Sequence, residues 1–209
     1  MTRPVRPTLT VLLAALVVVL AASCTGETTP PSPDTTSATS TPSTTTPPST
    51  PTPTPSPEDA AALRAEEVVR VYLRAQTDCL TDPPTTEITC FDPVAIGTEL
   101  VNLKNALTSA QAMETRVVGE IVPASTEPRG VDLTSDPAAS PPVVPTVVFD
   151  VCADVSGYNV VDKAGQSIVP PDRAATSPLE VSVYNYEYPD QTQWRVGYVV
   201  PAEDLACGG

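Results

Sequence analysis

The sequence predicts an α+β fold: two helices at the start of the globular part, then four to six antiparallel strands. Three features predict it. Apolar residues recur at helical spacing behind capping signals between residues 58 and 111. Beyond Gln111 the texture changes to strict alternation. Ahead of both lies a Thr/Pro/Ser tract with no apolar face to bury, which confines folding to residues 58–209 of the 209.

Residues 1–23 read as a signal peptide. Arg3 and Arg6 form a cationic start, and the apolar run over 9–22 is too short to span the roughly 30 Å of a bilayer core. Leu20-Ala21-Ala22-Ser23-Cys24 resembles a bacterial lipobox, although Ala21 stands where leucine is more usual. The resemblance implies cleavage after Ser23 and lipidation of Cys24. The chain is then expected on the extracytoplasmic face of a cell membrane, held by acyl chains alone. Residues 24–57 form the expected linker, a semi-rigid polyproline-like stalk reaching up to about 100 Å at ~3.1 Å per residue.

The first helix starts at Ser56-Pro57-Glu58-Asp59, an N-cap serine followed by proline and two acids. Ala61, Ala65, Val68, Tyr72 and Ala75 form its expected buried stripe, ending near Gln76. Arg70 and Arg74 fall near its negative end, with Glu66 placed to pair with Arg70. Asp92-Pro93 reads as the start of the second helix, with Ile96, Leu100, Leu103 and Leu107 facing inward. Val117, Gly119 and Ile121 then begin the alternation. Thr146 to Val155 is the strongest strand, with Val147, Phe149, Val151, Ala153 and Val155 on one face. Hairpins are expected over residues 160–169 and 180–200. Residues 123–145 and 170–178 read as proline-rich loops.

Five cysteines occur. Setting Cys24 aside leaves Cys79, Cys90, Cys152 and Cys207, an even set in an exported chain, which reads as two disulfides. Of the possible connectivities, Cys79–Cys90 with Cys152–Cys207 is preferred: one closes a short loop, and the other fastens the C-terminus to the core.

Charge and composition exclude several functions. A formal net charge of −14 disfavours nucleic acid and anionic headgroups. Histidine is absent, which removes Ser-His-Asp and Cys-His catalysis and imidazole zinc sites. No calcium-loop spacing is present, and no metal or cofactor is expected.

The order of elements resembles the nuclear transport factor 2-like fold, and more narrowly small secreted actinobacterial lipoproteins of that type. The residues carrying the resemblance are 151–157 (Val-Cys-Ala-Asp-Val-Ser-Gly), 161–165 (Val-Asp-Lys-Ala-Gly), Asp172-Arg173, 193–196 (Gln-Trp-Arg-Val) and Cys207. It implies helices packed on a curved antiparallel sheet that forms a cone. It assigns no functional residues, because this fold hosts enzymes, binding modules and scaffolds alike.

Asp150 and Asp154 share a strand face opposite the apolar one, roughly 13 Å apart, too far for a paired-carboxylate mechanism. Tyr184, Tyr186 and Tyr188 read as a same-face ladder able to line an aromatic groove, with a core wall as the plainer alternative. Trp194, alternating with Val196, Tyr198 and Val200, reads as core. The functional expectation is a non-enzymatic binding or interaction module of the bacterial envelope, engaging a wall polymer, a small ligand or an envelope protein. The alternatives are a small isomerase or hydratase that uses a carboxylate in the cone with Tyr72 or a sheet tyrosine, and an inert surface spacer.

Overall fold

The structure, a computed structural model, describes residues 55–208. The signal peptide, Cys24 and nearly all of the stalk lie outside them. Helix α1 spans Pro57–Thr81. Its start follows the sequence signal: Asp59 N donates to Ser56 Oγ at 3.0 Å, and Ser56 N donates back to Asp59 Oδ2 at 3.3 Å. The helix passes Gln76 because nothing breaks it before Pro83. The Thr77 and Thr81 hydroxyls fold back onto the carbonyls of Arg74 and Thr77. Arg70 and Arg74 therefore sit well before the last turn, too far to offset the helix dipole. Arg70 does pair with Glu66, and also with Glu67. The buried stripe is Ala61, Ala65, Val69, Tyr72, Leu73 and Thr77, with Val68 and Ala75 only partly covered.

The second helix, α2, spans Gly97–Met113 and starts later than Asp92-Pro93 predicts. Asp92 closes a 3₁₀ turn over Ile88–Phe91 and takes an ion pair from Lys104 at 2.6 Å. Burial of Phe91, Val94 and Ala95 holds the next residues extended. Val196 N donates to Val94 O, and Ile96 N donates to Val196 O, so this segment lies against the last strand before the helix begins. Both expected disulfides are present, Cys79–Cys90 and Cys152–Cys207.

The strands number six among the described residues, but they fall into two sheets. β1 (Arg116–Val118) pairs with β4 (Asn159–Val161). β2 (Val122–Asp132), β3 (Thr146–Asp154), β5 (Thr176–Tyr184) and β6 (Arg195–Pro201) form an antiparallel sheet in the order β2-β3-β5-β6. β2 occupies residues expected to be loop. Pro123 and Pro128 are tolerated because β2 is an edge strand and both flank register shifts. β5 likewise begins inside the expected 170–178 loop and carries Pro178. The turn at residues 162–166 forms, yet the return strand makes a single bridge, Val161 to Ser167, on the edge of β4 that does not face β1.

α1 and α2 pack on the inner face of the four-stranded sheet. β3 contributes Val147, Phe149, Val151 and Ala153, all at 0–1% exposure, as its alternation predicts. Trp194, Tyr72, Phe91, Leu73 and Leu107 fill the space between the layers. Each such side chain contributes roughly 1.5–3 kcal/mol by leaving water. On β6 the alternation from Trp194 holds only to Val196. A bulge at Gly197 then switches the face, so Val199 packs on the core and Tyr198 points outward at 46% exposure.

Replacing Cys79 and Cys90 together by alanine should lower the unfolding free energy by roughly 2–4 kcal/mol. Urea unfolding measures this, and a change near zero would show that the bridge does not constrain the helix end.

Candidate functional site

Register brings three carboxylates side by side on the outer sheet face: Glu127 opposite Asp150, and Asp150 opposite Glu180. Like charges in such positions repel. The β2 register shift between Pro128 and Gly130 supplies the remedy, because Arg129 is the extra residue there. Its guanidinium meets Asp150 with Nη2 at 2.5 Å from Oδ1 and Nε at 3.2 Å from Oδ2, and it also bonds Glu180. The hydrogen bond to Asp150 is the first cause raising the Arg129 pKa above its ordinary value. Asp150 is thus one member of a clamp. Asp154 turns away to accept from Ser156 N at 2.8 Å, and hydrogen bonding to Ser156 holds its carboxyl below the usual range. The two aspartates do not converge on a common site.

The tyrosine ladder is not formed. β5 stops at Tyr184, because Asn185, fully buried, accepts from Glu187 N and donates to Asp190 O. That knot turns the chain out of the sheet. Tyr186 is left 61% exposed beyond the strand, and Tyr188 packs edge-on against Trp194, with ring centroids 6.4 Å apart. Tyr184 lies over Gly197, where a Cβ would come within 2.6 Å of its ring. The exposed aromatics of this region are therefore Tyr186 and Tyr198.

A buried side-chain contact links the two helices, and only its Tyr72 half is singled out by the sequence. Tyr72, 2% exposed, donates to Glu99 Oε1 at 2.5 Å, and Asn102 Nδ2 approaches Glu99 Oε2 at 3.4 Å. Burial, then the Glu99 charge, then the hydrogen bond push the Tyr72 phenol far above the tyrosine range, so it stays protonated and donating. Glu99 sits in the first turn of α2, where an anion is stabilised by the helix end. A helix starting at Pro93 hid that position. Chemically the pair offers a carboxylate and a phenol, each engaged with the other.

Grooves on the surface of the described residues include two beside the helices. One of about 380 Å³ runs between α1 and residues 120–123. Another of about 260 Å³ lies between α2 and the β1–β4 sheet, lined chiefly by apolar groups including Met113 and Ile168. Among the described residues no helix is long and apolar enough to cross a membrane.

No family model and no curated protein matches this chain. Among solved structures it is similar to the intermembrane space region of the chloroplast protein ARC6, at 11% identity and a TM-score of 0.45. The match covers 67% of this chain and 95% of that one.

The Tyr72–Glu99 contact is open to direct test. Tyr72→Phe should cost about 1–3 kcal/mol, because it strips the buried Glu99 of its close donor. The sign with pH follows from the raised phenol. Its contribution is intact below the unfolded tyrosine value of about 10 and is lost as pH rises beyond it. Denaturation from neutral to alkaline pH should therefore show a smaller alkaline loss in Tyr72→Phe than in the parent; an equal loss would assign it to other groups.

Proposed function

We propose that this chain is a lipid-anchored protein of the extracytoplasmic membrane face whose globular part is a non-enzymatic binding module. The observation that carries the binding reading is the filled interior. Trp194, Tyr72, Phe91 and Phe149 occupy the space between helices and sheet at no more than 2% exposure, and the buried carboxylate is closed off by the Tyr72 phenol. Binding would then fall to the outer surfaces and grooves, with a wall polymer, a small ligand or an envelope protein as the partner classes. The two disulfides support an oxidising, extracytoplasmic setting. Cys24 and the sequence around it support the anchor, and the tract after it supports display on a stalk. Helices followed by an antiparallel sheet support a nuclear transport factor 2-like fold, although the division into two sheets departs from a single cone.

A second reading, a small isomerase- or hydratase-type enzyme, draws on the Tyr72–Glu99 pair. A general base must reach its substrate, and here the phenol holds the carboxylate oxygen instead.

Cys24→Ala should release the chain from the membrane fraction or leave an unprocessed precursor, and its intact mass should lack acyl chains. Unchanged acylation and fractionation would overturn the anchor.

A further inference from the structure

We propose that the groove between α1 and residues 120–123 binds a short zwitterionic peptide, with its carboxylate at Arg74 and its ammonium at Asp78 and Glu120. The groove's volume of about 380 Å³ falls within the ~300–1,000 Å³ of small-ligand sites. Ile121, Val122 and Pro123 give it an apolar wall.

The charges argue for the ligand class. Arg74, Asp78 and Glu120 line the same groove and are all exposed. Among the described residues none of them makes an ion pair, while neighbouring Arg70 is held by Glu66 and Glu67. Arg74 and Asp78 stand four residues apart on one helix face with the cation first, the order that favours pairing less. A simple anion entering here would meet two carboxylates, and a simple cation would meet the guanidinium. A molecule bearing both charges satisfies all three groups.

The wall opposite α1 is set before any ligand arrives. Gly119 has φ +83°, and a Cβ there would lie 1.8 Å from the Gly157 carbonyl oxygen, so backbone meets backbone just before Glu120. Val122 is then fixed by pairing with Asp154. A wall that need not reorganise lowers the cost of binding.

The proposal rests on reading the globular part as a binding module. Its test is a nuclear magnetic resonance titration of the whole chain with dialanine, trialanine, N-acetyl-dialanine and dialanine amide. Dialanine or trialanine should shift the amide signals of Thr77, Asp78, Ile121 and Val122 saturably. Each blocked dialanine should bind about tenfold more weakly than dialanine, the equivalent of one lost charge contact. Arg74→Gln should erase the preference over the amide, and Asp78→Asn with Glu120→Gln the preference over the acetylated form. No saturable response, equal binding of the blocked forms, or shifts confined to another surface would overturn the site. Release of free alanine during the titration, with the same signals shifted, would keep the site and overturn the non-enzymatic reading instead.

Discussion

The inner face of β3 is the surface on which the described fold is assembled. Val147, Phe149 and Val151 present an unbroken apolar strip with no exposure, and β2 and β5 flank it on either side. α1 lays its Ala61, Ala65 and Val69 stripe into the same core, the small residues letting the helix approach closely. Trp194 joins from the start of β6. The first disulfide ties the end of α1 to the 3₁₀ turn over Ile88–Phe91, and the residues before α2 hydrogen-bond to β6.

Local signals in the sequence were the readable ones. The Ser56 N-cap, the β3 alternation from Val147 to Ala153 and the cysteine pairs depend on neighbours in the chain or on simple loop closure, and these are present in the structure, with β3 ending at Asp154 rather than Val155. The misreadings share a different origin. Pro123 and Pro128 argue against a strand until it is known that the strand lies at a sheet edge. Asp92-Pro93 argues for a helix start until Phe91, Val94 and Ala95 are seen to be buried. The Gly197 bulge reverses which β6 residues face inward, and nothing in the local alternation announces it.

The candidate sites divide along the same line. Spacing alone puts Asp150 on the correct face, but its partner Arg129 comes from a bulge in a strand whose prolines argue for a loop. The tyrosine ladder failed because a single asparagine side chain, Asn185, ends the strand through bonds spanning only a few residues. Glu99 was invisible for want of the correct helix start. For Arg129 and Glu99 the deciding factor is tertiary, namely which backbone lies alongside, whereas the ladder is ended by a local side-chain knot. An unreadable register hides function more thoroughly than an unreadable helix, because one residue of slip exchanges the two faces of a strand.

The Cys152–Cys207 bond joins the central strand β3 to the tail that follows β6, so the backbone from 152 to 207 is a closed covalent ring containing β4, β5 and β6. A single hydrolytic cut anywhere in that ring, the exposed turn at residues 162–166 included, opens the ring without dividing the molecule. In surroundings rich in secreted proteases, such a ring converts a severing event into a nick that the sheet can survive.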